Sequence, residues 1–166
     1  MKKYVDCDGV IFDSITYLFN DEYKSLNITK ESEKIKYLQK TDWNKVLRES
    51  EIINNAINIL KELNDVAILT KVNSMENEGV AKIKFFRELG LKNEIILCPY
   101  MLKKTDIVDP KGNILVDDTI HNLEDWEEQG GISIFFNKDN SDTDGRGNVN
   151  SKYPKIESLE YLKKIS

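Results

Sequence analysis

Hydrophobic positions along this chain fall into two kinds of run. Five runs are short, continuous and rich in β-prone residues: Tyr4-Val5, Val66-Ala67-Ile68-Leu69, Ile95-Ile96-Leu97, Ile114-Leu115-Val116 and Ile132-Ser133-Ile134-Phe135-Phe136. A run that is apolar on both faces suits a strand of a parallel sheet covered on both sides. The other kind recurs at helical spacing. Val80, Ile83, Phe86 and Leu89 mark a helix between Met75 and Leu89, stopped by Gly90, and a shorter helix is predicted over residues 122 to 129. Strands that alternate with helices predict an α/β fold, a doubly wound parallel sheet of about five strands.

The spacing breaks once. About fifty residues separate the first two apolar runs, with helical patterning and no convincing strand, so this stretch is predicted to be an inserted helical cap. The expected division is a core of residues 1–13 and 65–166 and a cap of residues 14–64, with hinges near Ser14 and Leu63-Asn64. Ile52, Ile53, Ala56, Ile57, Leu60 and Leu63 form an amphipathic helix leading back toward the sheet. Tyr17, Phe19, Tyr23, Tyr37 and Trp43 make the insertion comparatively aromatic, and Tyr17 and Trp43 are candidates for a substrate pocket. Aromatics at helical spacing equally build a cap's own core. Residues 138–152 read as an exposed polar loop. Asn140, Asp142, Asp144 and Gly145 imitate the start of a calcium loop, but its twelfth position is Ser151 rather than a bidentate glutamate.

Composition narrows the class. The chain has 166 residues, 40% hydrophobic and 32% charged, the balance of a soluble one-domain protein. A net charge of -5 argues against a surface for duplex nucleic acid, while leaving room for a small anion held locally. No run reaches membrane-spanning length and no signal peptide is apparent, so no membrane partner and a cytoplasmic location are expected. Cys7 and Cys98 lack metal-type spacing and read as buried thiols. His121 is the sole histidine, which excludes a histidine triad or multi-histidine zinc site. No long heptad or exposed apolar stripe sets an oligomeric state.

The chemistry gathers at strand ends. Asp6 and Asp8, in "VDCDGV", close the first run, and Asp117-Asp118 close the fourth in "ILVDDTIHNL". Ligands of open α/β sheets bind beyond the carboxyl ends of the strands, and Gly9 allows a turn that lets Asp6 and Asp8 converge. Four carboxylates so placed call for a hard cation such as magnesium. Between them lie "AILT", ending at Thr70, and "LKKTD", with Lys103 and Lys104.

That order of four elements resembles the haloacid dehalogenase-like (HAD) superfamily of aspartate-nucleophile phosphatases, over residues 4 to 136. The resemblance implies a Rossmann-like core, a substrate-selecting cap and a Mg2+-dependent phosphomonoesterase acting on a small phosphorylated substrate. It makes Asp6 the nucleophile and Asp8 the general acid and then base. Thr70 would bind a phosphate oxygen. Lys104, or Lys103, would hold Asp6 and phosphate charge together, with Lys71 near the phosphate. Magnesium would be held by Asp6, the main-chain carbonyl of Asp8, Asp118 and, less directly, Asp117. Cys7 would matter through its backbone, and Asn122 would cap the following helix or steady Asp118. The chemistry is coherent, because a carboxylate attacks a phosphate dianion only where cations cancel the repulsion.

A narrower stretch, "KTDIVDPKGNILVDDTIHNLEDWEEQGG", is similar to cytosolic type C 5'(3')-deoxyribonucleotidases, with Trp126 and Gly130-Gly131 at matching places. It implies a nucleoside monophosphate, a pyrimidine deoxyribonucleotide above all. "DCDGVIFDS" is closer to the general superfamily pattern, so sugar phosphates or other small phosphorylated metabolites stand as the alternative. A receiver-like phosphoacceptor domain uses similar residues, but places its acidic pair on the first strand and its phosphoacceptor on the third.

Overall fold

The computed structural model describes residues 1–165. Its strands are β1 (Lys3–Val5), β2 (Val66–Val72), β3 (Ile95–Pro99), β4 (Ile114–Asp117), β5 (Ile132–Phe136) and β6 (Lys155–Ile156). All pair in parallel in one sheet, ordered β3-β2-β1-β4-β5-β6. The sixth strand goes beyond the five apolar runs. It is a two-residue edge strand, too short to carry a recognisable pattern. The helices are α1 (Ser14–Leu18), α2 (Asp21–Ser25), α3 (Glu31–Lys40), α4 (Trp43–Glu49), α5 (Ala56–Glu62), α6 (Val80–Glu88) and α7 (Ile120–Glu128).

Successive strand residues point to opposite faces, and the core divides accordingly. Val5, Ile68, Val116, Ile134 and Phe136 join one cluster with Leu60 of α5 and Phe86 of α6. Tyr4, Ala67, Leu69, Leu115 and Phe135 join the other, covered by Ile120, Leu123 and Trp126 of α7. The three-residue spacing of that trio is a helix face. Trp126 meets Tyr4 edge-on with ring centroids 5.4 Å apart, and its indole N–H donates to the Asn113 carbonyl at 3.0 Å. Gly131 lets the chain pass close to this indole, since a Cβ there would fall 2.2 Å from Trp126 Cδ1.

Chain order reverses about β1, which lies between β2 and β4. The crevice at such a switch point is where α/β sheets bind ligands. The chain leaves the sheet through residues 11–13 and returns beside them: Asp13 N donates to Glu51 O and Ile53 N to Ile11 O, both at 2.9 Å. α1 to α4 lie within this excursion, whereas α5 contributes Ile57, Ile59 and Leu60 to the sheet's core and packs against the turn Leu159–Lys164. No helix among the described residues is long and apolar enough to cross a membrane.

Candidate functional site

β1 delivers Asp6 directly. Its amide extends the ladder to Val116 O of β4 at 2.9 Å, which sets Asp6 beside the end of that strand. The next carbonyl, of Cys7, accepts from the amides of Val10, Ile11 and Phe12 at 3.3, 2.8 and 3.2 Å, winding the chain into a tight turn. Cys7 thus acts through its backbone, its side chain buried in the first core cluster. Gly9 within the turn has φ +80°, and a Cβ there would stand 2.1 Å from Asp118 Oδ2. Only glycine accommodates both the left-handed backbone and the neighbouring carboxylate.

Lys104 opens the turn Lys104–Asp106 after β3 and is buried. Its ammonium donates to Asp6 Oδ1 at 2.7 Å and Asp117 Oδ2 at 2.6 Å. Burial works against that charge, but Asp117 and Asp6 outweigh it and hold the lysine well above its ordinary pKa. Lys103 turns outward and pairs with Asp125 at 2.5 Å. Asp117 also accepts from Thr119 N at 2.9 Å and from Asn122 Nδ2 at 3.1 and 3.2 Å. Asn122 therefore steadies Asp117, not Asp118. His121 is exposed, 3.8 Å from Glu124 and from Asp125.

Among the described residues Asp118 has one long contact, from Thr119 Oγ1 at 3.4 Å. Burial, then the charges of Asp117 and Asp6, push its carboxyl well above the usual range. Burial likewise lifts Asp6 to about 7; Lys104 pulls it down, and Asp117 and Asp8 add to the rise. Asp6, Asp117 and Asp118 each bring one oxygen within 4.8 Å of the others. With Asp8 and Glu78 the site gathers five carboxylates, paired among the described residues to two ammonium groups, Lys104 and Lys82. An excess of hard oxygen donors with one carboxylate nearly unpartnered fits a magnesium ion.

Asp8 faces the other way. Its Oδ1 accepts from Ser14 Oγ at 2.6 Å and its Oδ2 from Lys82 Nζ at 2.6 Å. Lys82 also reaches Glu78 Oε1 at 2.8 Å and Thr70 Oγ1 at 3.1 Å. Thr70 is fully buried, its own hydroxyl donating to the Lys71 carbonyl at 3.2 Å. The cavity wall at this strand end is formed by Lys71 instead.

The cavity over the site measures about 760 Å³. Asp6, Asp8, Lys104 and Asp118 line its floor, and Phe19, Tyr23, Leu38 and Trp43 its cap side. Trp43 is at once lining and cap core, its indole N–H donating to Leu38 O at 2.8 Å. Tyr17 is no lining residue; its hydroxyl donates to Glu49, and Phe19 and Tyr23 take its place. The sequence alone marks Ser14 only as a hinge position and does not single out Glu78 or Lys82. One signal was there: Lys82 lies four residues after Glu78 and four before Phe86, a charge on the buried face of its helix.

No family model and no curated protein matches the chain. Solved structures do. A HAD-superfamily hydrolase from Geobacter sulfurreducens is 14% identical with TM-score 0.61, covering 100% of both chains. The HAD-hydrolase YfnB from Bacillus subtilis, bound to magnesium, is 14% identical with TM-score 0.58, covering 99% of this chain and 97% of that one. The D,D-heptose 1,7-bisphosphate phosphatase from B. bronchiseptica, complexed with magnesium and phosphate, is 13% identical with TM-score 0.57, covering 100% of both. At these identities the likeness is one of fold: an α/β, Rossmann-like HAD fold.

Proposed function

We propose that the chain is a magnesium-dependent phosphomonoesterase that works through an aspartyl-phosphate. The observation that carries this reading is Lys104 clamped between Asp6 and Asp117 beside the nearly unpartnered Asp118. Asp6 attacks phosphorus; the departing alkoxide takes a proton from Asp8 and leaves as alcohol. Asp8 then takes a proton from the water that attacks the aspartyl-phosphate, and phosphate departs from a regenerated Asp6. Lys104 offsets the charge that builds on the phosphoryl oxygens, and Lys71 borders the same space. Bound magnesium, held by Asp6, Asp118 and the Asp8 carbonyl, would supply further positive charge there. Asp117 contributes by fixing Lys104. Thr70 is left a supporting role through Lys82 unless its hydroxyl is released to phosphate.

The substrate proposed is a nucleoside 5'-monophosphate, a pyrimidine deoxyribonucleotide first. Support comes from cavity size, about 760 Å³, within the range for small-molecule sites, and from Phe19 and Tyr23 on the cap side, suited to stacking on a base. A sugar phosphate is the second reading, favoured by the heptose bisphosphate phosphatase among the similar folds. The test is phosphate release from dUMP, dTMP, purine nucleotides and sugar phosphates, with magnesium or EDTA, beside Asp6→Asn. Magnesium-dependent turnover of pyrimidine deoxynucleotides, lost in the variant, supports the whole reading. Turnover of sugar phosphates alone keeps the chemistry and replaces the substrate.

A further inference from the structure

Lys82 lies outside the four-element pattern, yet it is fully buried and makes contact with the centre of the site. Its ammonium group lies 2.6 Å from Asp8 Oδ2, 2.8 Å from Glu78 Oε1, 3.1 Å from Thr70 Oγ1 and 3.3 Å from the Lys71 carbonyl. It also stands 5.2 Å from the ring centre of Trp43, on the cap. A buried ammonium needs such company, because desolvation costs several kcal/mol unless partners replace water. Glu78, one helical turn away and itself buried, would satisfy the charge locally. The reach to Asp8, 74 positions distant in sequence, is therefore an additional contact, and it falls on the residue to which the proton transfers have been assigned.

The two oxygens of Asp8 are held by different kinds of donor. An ammonium has donors only, so an oxygen in its grip is always an acceptor. A hydroxyl both donates and accepts, and it turns about its C–O bond to do either. Ser14 Oγ on Oδ1 can turn to accept a proton carried there, whereas the positive charge 2.6 Å from Oδ2 makes that oxygen the less favourable one to protonate. We infer that Lys82 is a positioning residue for Asp8, reserving Oδ2 as an acceptor and leaving Oδ1, beside Ser14, as the one oxygen that exchanges protons with substrate and water. In the first step the proton passes from Oδ1 to the leaving alkoxide; in the second, from the attacking water to Oδ1. Trp43, packed over the same ammonium, ties this arrangement to the docked cap.

The inference rests on the phosphatase reading, and leaving groups separate the two. An alkyl phosphate needs the proton from Asp8 when its bond to phosphorus breaks; p-nitrophenyl phosphate does not, because p-nitrophenolate leaves as the anion. The experiment compares first-turnover rates on both esters by rapid quench for the wild type, Lys82→Met, and Lys82→Met combined with Glu78→Gln, with thermal melting of each. The double variant removes the buried pair together, which spares Glu78 an unpaired charge and preserves the fold. Expected is a loss of about 100-fold on the alkyl ester, in the range for misplaced acid catalysis, and under about 5-fold on the nitrophenyl ester. Equal losses on both esters, or none on either, with an active wild type overturn the role of Lys82 alone. A wild type that cleaves neither ester overturns the phosphatase reading and this inference with it.

Discussion

At position 9 the missing side chain is a condition of the acidic site. An alanine there meets Asp118 Oδ2 at 2.1 Å and must hold φ near +80°, so it displaces the carboxylate in addition to straining the turn by about 1–2 kcal/mol. Gly9→Ala is expected to lose at least about 100-fold in turnover and the rise in melting temperature that magnesium gives the wild type; calorimetry with and without the ion checks both. Asp6 supplies a pH signature. Its carboxyl, usually at 3.8, is raised to about 7 in the fold. Between these values the folded protein keeps a proton that the unfolded chain has released, so metal-free stability is present at low pH and is lost as pH rises through this window. The metal-free melting temperature should fall by several degrees between pH 5 and 8, at about 2–4 °C per kcal/mol, and magnesium should flatten the fall. Asp118→Asn removes part of the repulsion, so metal-free melting above pH 7 should rise while the response to magnesium disappears. At this scale the carboxylates were legible, because each closes an apolar run. Their hydrogen bonds were not: Asn122 serves Asp117 because the first turn of α7 aims its amide at the more buried partner.

Among the elements, the polar loop 138–152 departs most from expectation. It reads as exposed, and most of it is, but Asp144 is buried and gathers amides from Ile120 at 3.1 Å, Arg146 at 2.9 Å and Asn148 at 2.8 Å, and the Asn148 side chain at 3.1 Å. The feature that imitates a calcium loop in sequence is, in the fold, a carboxylate holding the loop to the first turn of α7, just after Asp117-Asp118. Asp144→Ala strands those amides and should cost about 1–3 kcal/mol, read as a lower urea midpoint with an unchanged slope. α6 shows the opposite balance. Phe86 and the stop before Gly90 agree with the helical spacing, but Val80 and Ile83, expected on the apolar face, are exposed, and Ala81 and Lys82 are buried beside Phe86 instead. The buried lysine on that face is intelligible only beside Asp8, from β1.

Over the whole molecule, the cap shares the first apolar cluster with the core through Trp43, Val46 and Leu47 and is tied to it further by side-chain amides. Asn77 Nδ2 donates to Gln39 O at 2.9 Å and Thr41 O at 2.8 Å, and Gln39 Nε2 donates to Asn73 O at 3.0 Å. The donors and acceptors lie at the end of α3 and at the start of the segment leading to α6. Asn77→Ala should raise hydrogen exchange in α3 and α4 several-fold while leaving the protection of β1, β2 and β4 unchanged, since local openings are governed by the contacts they break. Uniform exchange across cap and sheet would show instead that the two open together. The stretch 14–64, read as one insertion, contains two parts: α1 to α4 over the cavity, and a return through 51–53 into α5, which packs on the sheet.

The sequence by itself determined the α/β class, the five principal strands in order, and the placing of Asp6, Asp8 and the Asp117-Asp118 pair at strand ends. These follow from patterns a few residues long, where two-sided apolar runs dictate strands and a change to acid marks the strand's carboxyl end. Only the tertiary structure decided what lies beside what. Lys103 and Lys104 are chemically alike neighbours, and a turn places one on Asp6, 98 positions away, and the other on Asp125 at the surface. The same is true of Lys82, of Asp144 and of the aromatics that face the cavity. A side chain's partner is set by sheet order and by which face of an element is covered, and both arise from contacts between segments far apart in the chain.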